Sequence, residues 1–325
     1  MKLKMKILML MCVLFSSVRG QQKDSLSYKS MYTINENLQF EYSKTTFFEM
    51  FKNIPDNVYQ FGKYTIQSEN LLQVGSAVGS TLVLLPLDQK IIENSTELGE
   101  KIGWVGDGSY VKVSGLRVFP KDINTAVYYM GNGGFSLLIG GGLYAFGKIN
   151  KDYRAVSTAS QIVESLLSVG VLTQTIKRIS GRETPNTAEI SGVNGGNWRP
   201  FPSFSEYQSN TPIYDAMPSG HVATFMATFT VLTQNYPDVK WIKPVGYTLM
   251  SALAFQMMSS KVHWASDYPI AVLIGYVIGK TTANRRIKKH DSRTTAFGEK
   301  RTAYDFNYNF SKIGNYTLVG VNIRF

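Results

Sequence analysis

The sequence predicts an all-α fold, a helical bundle of about six core helices with a small C-terminal β-hairpin. Six apolar stretches support the bundle, and in the fourth of them Val222, Phe225, Met226 and Phe229 recur at the spacing of one helix face. The chain has 325 residues, enough to bury a sizeable core, and its mean hydropathy of -0.10 argues against a protein with many membrane spans. The six stretches cover residues 71–86, 133–147, 157–176, 222–235, 245–259 and 269–282.

The first element along the chain is a targeting segment. Three lysines, an apolar run over residues 7–18 and small residues before Gln21 are typical of a secretory signal, which we expect over residues 1–20. The prediction is an exported, periplasmic protein, and association with the outer membrane is left open. The single cysteine, Cys12, lies in this signal, so we expect no disulfide and no thiolate metal site in the mature chain.

The remainder divides into three predicted parts. An N-terminal segment with the first core helix covers residues 21–97, a helical domain covers 98–290, and a basic linker with the hairpin covers 291–325. Most of the apolar stretches are shorter than the roughly 18 residues that a membrane span needs. An export signal also places the first of them outside the cytoplasm. We therefore expect core helices of an exported soluble domain.

Three connecting or terminal regions complete the predicted architecture. The glycine-rich run 130–147 follows no predicted strand and lacks a P-loop lysine, so close helix packing is a better interpretation than a nucleotide loop. The polar loop 183–217 is long enough to predict a segment that is either functional or mobile. In the tail, apolar and polar residues alternate over 304–310 and 317–325 around a glycine-containing turn, which predicts the hairpin.

The charge balance is basic, with a formal net charge of +11, and much of the excess lies in RRIKKHDSR, residues 285–293. A solvated charged run is the commoner interpretation of such a segment. The alternative is an anionic partner such as a phosphate or a membrane surface. No nucleic-acid partner is expected.

Three polar pieces stand at predicted helix ends. Lys177 closes the third helix, the turn Pro-Ser-Gly-His at 218–221 opens the fourth, and His263 precedes Asp267 by four residues at the start of the sixth. A serine hydroxyl and free amides at a helix N-terminus form an anion site. An aspartate one turn from a histidine fixes its tautomer and raises its basicity. Each piece alone also fits an ordinary cap or a structural pair, whereas the ordered set favours a phosphate site.

This ordered set resembles the type 2 phosphatidic acid phosphatase/haloperoxidase superfamily, whose signature is K-x6-RP, then PSGH, then SR-x5-HxxxD. The resemblance covers roughly residues 98–290 and rests on PSGH at 218–221 and HWASD at 263–267. It implies that His263 is the nucleophile, Asp267 its partner and His221 the general acid. It further implies a phosphate site, without metal or cofactor, that is formed by Lys177, Ser219 and Gly220.

Two positions depart from the signature. Thr184 stands where the first motif has its arginine, and Met257 stands where the third has one. The nearby cations that could replace these clamps are Arg182, Arg199 and Lys261. Halide oxidation depends heavily on the clamps, so we do not expect haloperoxidase activity. The sequence predicts a metal-independent hydrolase of phosphomonoesters, lipid phosphates included, that acts through a phosphohistidine. The alternative is a non-catalytic binder of phosphate or lipid phosphate on a degenerate phosphatase scaffold.

Overall fold

A computed structural model of the chain describes residues 29–46, 48–104, 110–113, 116–292, 305–313 and 316–324. The predicted signal over residues 1–20, with Cys12, lies outside the described residues. Of the described chain, most is helical, which confirms the predicted fold class.

The helices account for all six predicted apolar stretches, which fall on α3, α6, α7, α10, α11 and α12. In chain order the helices are α1 (Glu49–Lys52), α2 (Ile54–Ile66), α3 (Leu71–Leu84), α4 (Asp88–Lys101), α5 (Ile123–Met130), α6 (Gly133–Asn150), α7 (Tyr153–Ser180), α8 (Pro185–Ser191), α9 (Phe204–Ser209), α10 (Gly220–Asn235), α11 (Ile242–Ser259) and α12 (Tyr268–Arg286). The loop predicted over 183–217 contains the short helices α8 and α9.

The core centres on α7, α10 and α12. An apolar cluster joins Val169 and Leu172 of α7 to Val222 of α10 and Ile274 of α12. Helices α10 and α12 touch through their backbones: a Cβ on Gly275 of α12 would lie only 2.4 Å from the carbonyl oxygen of Ala223 of α10. This close contact brings the N-termini of α10 and α12 to the same end of the bundle as the C-terminus of α7.

A three-stranded antiparallel sheet packs beside this bundle and was not predicted. It has the order β1 (Lys29–Asn35), β2 (Leu38–Ser43) and β5 (Lys288–Asp291). Tyr32, Phe40 and Tyr42 are buried against Ala283 and Ile287. The sheet therefore ties the start of the described chain to the segment that follows α12.

The described part of the basic run 285–293 is anchored by ion pairs, while Lys288, Lys289 and His290 remain exposed, as a solvated run requires. Arg285 and Arg286 both form ion pairs with the buried Glu164 of α7. Farther along, His290 of β5 contacts the carboxylate of Glu41 at 2.8 Å. These cations are partnered by acidic side chains of the same chain.

Two hairpins lie outside that sheet. In the tail, β6 (Asp305–Ile313) pairs with β7 (Tyr316–Arg324) in antiparallel register from Asp305↔Arg324 to Ile313↔Tyr316. The predicted C-terminal hairpin is therefore confirmed. A second hairpin, β3 (Tyr110–Val113) with β4 (Leu116–Pro120), precedes α5 and was not predicted.

The segment that contains α3 differs from the predicted core helix. Only Ala77 and Thr81 of α3 are buried, whereas Leu72, Leu82 and Val83 are more than half exposed. Among the residues that the structure describes, two helical segments are long and apolar enough to cross a membrane, Ser68–Lys101 and Tyr153–Ser180. The second is a buried core helix, while only 6% of the apolar window in the first is buried. The apolar side chains of α3 therefore form an exposed face.

Candidate active site

Lys177 lies in the last turn of α7 and is buried. The helix ends at Gly181, whose left-handed conformation (φ 55°) and contact with the backbone of Arg199 leave no room for a side chain. The turn that follows folds back on the helix end, where the Ser180 hydroxyl donates to the carbonyl of Met217. As a result, the Nζ of Lys177 lies beside Gly220 at the start of α10.

The turn before α10 presents first-turn amides to the same point. Ser219 is the N-cap, and its hydroxyl accepts a hydrogen bond from the amide of Val222 at 3.3 Å. The Ser219 amide donates to the carbonyl of Asp267 at 3.1 Å, which ties the two motifs together. The amides of Gly220 and His221 have no carbonyl one turn earlier, so they provide the anion site that a helix N-terminus offers.

The two motif histidines contact each other. The Nδ1 of His263 lies 2.8 Å from the carbonyl oxygen of Ala216, and its Nε2 lies 3.3 Å from the Nδ1 of His221. Because a carbonyl only accepts, the Nδ1 of His263 must carry a proton, and in the neutral ring Nε2 then holds a free lone pair. That lone pair faces His221, which donates its own Nδ1 proton.

The local environment favours the neutral form of His221. Burial, followed by the charges of His263 and Lys177, lowers the pKa of His221 to about 3. The imidazole of His221 is therefore a neutral hydrogen-bond donor in this structure. A bound anion would oppose these effects and raise the pKa of His221, because an opposite charge stabilises the imidazolium.

Asp267 lies next to His263, but it does not fix the tautomer of the imidazole as the sequence predicted. The Oδ2 of Asp267 is 3.6 Å from the Nδ1 of His263, too far for a hydrogen bond, and instead accepts from the amide of Trp264 at 2.8 Å. Its Oδ1 accepts from the guanidinium of Arg182 at 2.7 Å. The carboxylate thus acts on the histidine as a nearby charge, while the carbonyl of Ala216 sets the tautomer.

The guanidinium of Arg182 is held between two buried carboxylates. On one side it donates to Asp267 and to the hydroxyl of Ser266, and on the other it donates to Asp88 at 2.6 Å. Asp88 begins α4 and also accepts from the amide of Ser266 at 3.0 Å. Arg182 is therefore a positioning residue for Asp267 in this structure and does not point at an incoming anion.

Asp88 is a functional candidate that the sequence did not indicate. It lies 94 residues before Arg182, in the segment assigned to the N-terminal part of the chain. No local motif surrounds it, and only its complete burial and its contacts with the third motif reveal the connection. The helix α4 thus contributes to the site from outside the predicted domain 98–290.

The positions of the missing arginines are occupied in other ways. Thr184 stands at the N-cap position of α8, and its hydroxyl lies 3.0 Å from that of Thr187. Met257 is fully buried in an apolar cluster with Leu253 and Phe225. The other two candidate substitutes are also engaged in ion pairs, Arg199 with Glu183 at 3.5 Å and Lys261 with Glu189 at 2.7 Å. The cation that lies beside the helix N-terminus is Lys177.

A separate cavity of about 410 Å³ lies between α4 and α8. Its lining includes Glu93, Glu189 and Lys261, with Trp264 on its inner wall, and it does not reach either histidine of the pair. Within the described residues, no group of three or more histidine, cysteine or acidic side chains is arranged to hold a metal ion.

Comparison with known proteins gives two matches and one absence. Residues 158–290 match the model of the PAP2 superfamily. This match begins farther along the chain than the predicted domain 98–290. A stretch of 89 residues is 29% identical to a lipid A 1-phosphatase of Porphyromonas gingivalis, and it covers 27% of this chain and 19% of that protein. No solved structure matches.

Proposed function

We propose, from the premise that this chain belongs to the PAP2 superfamily through residues 158–290, that it hydrolyses phosphate monoesters through a phosphohistidine formed on His263. One observation carries the proposal. The Ala216 carbonyl holds the proton of His263 on Nδ1, which leaves the Nε2 lone pair directed at the other motif histidine and at the anion site beside it.

The reaction begins when a phosphoryl group replaces the hydrogen bond between the two histidines and frees the Nε2 lone pair of His263. The Nε2 of His263 attacks phosphorus while the bond from phosphorus to the ester oxygen breaks. The positive charge that develops on the attacking ring is stabilised by Asp267, whose carboxylate lies 3.6 Å from Nδ1. His221, protonated once the anion has raised its pKa, gives its proton to the leaving oxygen.

The second half of the reaction reverses these roles. His221, now neutral, takes a proton from water, and the resulting hydroxide attacks the phosphorus of the phosphohistidine. Inorganic phosphate leaves and His263 regains its lone pair. Lys177 and the amides of Gly220 and His221 supply the field that stabilises the equatorial oxygens throughout.

For the substrate we propose a lipid phosphate monoester. The relative with a stated activity is a lipid A 1-phosphatase, and α3 presents exposed leucines and valines on the helix that leads directly into α4, where Asp88 joins the site. An apolar face next to a phosphate site suits a substrate that lies in a membrane surface. Export to the periplasm, with possible contact at the outer membrane, belongs to the same proposal.

A non-catalytic phosphate or lipid-phosphate binder is the second candidate, and the clamp positions favour it. Arg182 is paired with two carboxylates, and the motif position at 257 holds a buried methionine in place of an arginine. Neither position therefore supplies a guanidinium to the equatorial oxygens of a bound phosphoryl group. Arginines in such positions account for roughly 10³–10⁵ of the rate in other phosphoryl-transfer enzymes. In this reading the lysine and the amides bind phosphate without turning it over.

The deciding experiment measures inorganic phosphate released by the purified protein from a panel of soluble and lipid phosphomonoesters. His263→Ala should abolish release, whereas His290→Ala, a matched change of the histidine on β5, should leave it intact. Equal release by the two variants would refute the role of His263. Phosphate binding without release from any ester would select the binder.

A further inference from the structure

The anion-binding lysine of this site already has an anionic partner. The Nζ of Lys177 lies 2.8 Å from the Oδ2 of Asp215, whose side chain is 27% exposed while that of the lysine is 5% exposed. Asp215 lies three residues before Pro218, in the strand-like segment that leads into the motif turn. A carboxylate therefore lies where a phosphate oxygen would approach the lysine.

Several groups hold this carboxylate in place. The hydroxyl of Tyr207, a buried residue of α9, donates to the Oδ1 of Asp215 and also lies 3.0 Å from Gln174 of α7. The backbone of Asp215 forms a bridge with that of Arg182, and the next amide donates to the carbonyl of Arg182. The carboxylate is thus fixed from two helices and from the backbone.

The charged and titratable groups around Asp215 lie on α7, α9 and α10. Lys177 on α7 contacts it directly, and Arg178 on the same helix lies over the ring of Tyr207 at 4.2 Å. Burial and the hydrogen bond to Asp215 raise the pKa of Tyr207, so this tyrosine stays a neutral donor. On α10, His221 follows directly after Gly220, beside which the Nζ of Lys177 lies.

We propose that Asp215 is a specificity-determining residue that makes the site select the protonated monoanion of a phosphate group over the dianion. The P–OH of a monoanion donates to the carboxylate while its ionised oxygens bind Lys177 and the helix amides. A dianion has no proton to donate, and it brings a second negative charge against Asp215. The inference rests on the proposed phosphate site but not on its turnover.

The size of the preference follows from the effect of neighbouring like charges. A carboxylate in contact with a second anion strongly disfavours the ionised form of that neighbour, so we expect at least about tenfold tighter binding of the monoanion. Replacing the carboxylate by an amide removes the repulsion and frees Lys177 for the dianion.

Calorimetric titration of inorganic phosphate into the intact purified protein tests this at about pH 5, where free phosphate is the monoanion, and at about pH 8, where it is mostly the dianion. The wild type should bind phosphate at least about tenfold more tightly at the lower pH. Asp215→Asn should bind it about tenfold more tightly than the wild type at the higher pH and lose most of the pH difference. Glu189→Gln, which removes a carboxylate from the 2.7 Å ion pair with Lys261, is the matched control and should behave as the wild type.

Three results would overturn the inference: no gain in Asp215→Asn at the higher pH, weaker binding there, or the same gain in Glu189→Gln. If Asp215→Asn does not fold, as judged by circular dichroism, Tyr207→Phe decides. It releases one anchor of the carboxylate and should give a smaller gain of the same sign; no gain rejects the inference. If phosphate binding depends on pH as described but no ester is hydrolysed, only the proposed turnover is rejected. If esters are hydrolysed but Asp215→Asn and Tyr207→Phe bind phosphate as the wild type does, only the role of Asp215 is rejected.

Discussion

The buried charge cluster of Asp88, Arg182 and Asp267 gives the sharpest prediction about stability. Asp88 and Asp267 have no exposed surface, and the side chain of Arg182 is 1% exposed. Changing Asp88 to alanine leaves the guanidinium with one carboxylate and removes the acceptor of the Ser266 amide. Breaking a buried pair in this way costs about 3–5 kcal/mol.

That loss is large against a total stability of about 5–15 kcal/mol for a typical domain. We expect urea unfolding, followed by circular dichroism, to show Asp88→Ala less stable by about 3–5 kcal/mol with an unchanged denaturant slope. Asp56→Ala is the control, because its pair with Arg285 lies at the surface, where the aspartate is 48% exposed. The control should change stability by no more than about 1 kcal/mol. Equal losses in the two variants would refute the assignment of Asp88 to a buried cluster.

Three further predictions concern the site and its surroundings. The pKa of His221 is lowered from 6.5 to about 3, so between these pH values the unfolded state binds one more proton than the folded state. The free energy of unfolding should therefore decrease as the pH falls through this range, by at most about 1.4 kcal/mol per pH unit. Urea titrations at several pH values should show this decrease, and a less steep one in His221→Gln. Met257→Arg should cost about 3–5 kcal/mol in a thermal or urea melt, because it places an unpaired charge in the core, whereas Thr184→Arg on the partly exposed cap should change stability by about 0.5 kcal/mol or less. Phosphate release should survive treatment with a chelator, since histidine and cationic groups carry the proposed chemistry; loss of release that a divalent ion restores would contradict it.

The main motifs could be predicted because their geometry is local. PSGH opens α10 and HWASD precedes α12, and both placements follow from cap residues and from apolar spacing within one helix. Their mutual contact required only that the two helices pack side by side at the same end. The chain does pack them so, through Gly275 and Gly279 against the backbone of α10.

The contacts that the sequence did not predict depend on residues far apart in the chain. Strand β2 pairs with β5 through Leu38↔Asp291, a pairing that no local pattern indicates. The role of Arg182 likewise depends on Asp88, which joins it only when α4 packs against the third motif. The exposed face of α3 was misjudged because apolar spacing predicts a helix but not the element that covers it.

The central claim is that His263 accepts the phosphoryl group. The direct measurement is acid-sensitive, base-stable radiolabel trapped on the protein after rapid mixing with a monoester labelled in its phosphate, followed by peptide mapping. The account predicts label on the peptide that contains His263 in the wild type and none in His263→Ala. Phosphate release without any labelled protein, or equal labelling of His263→Ala, would contradict it.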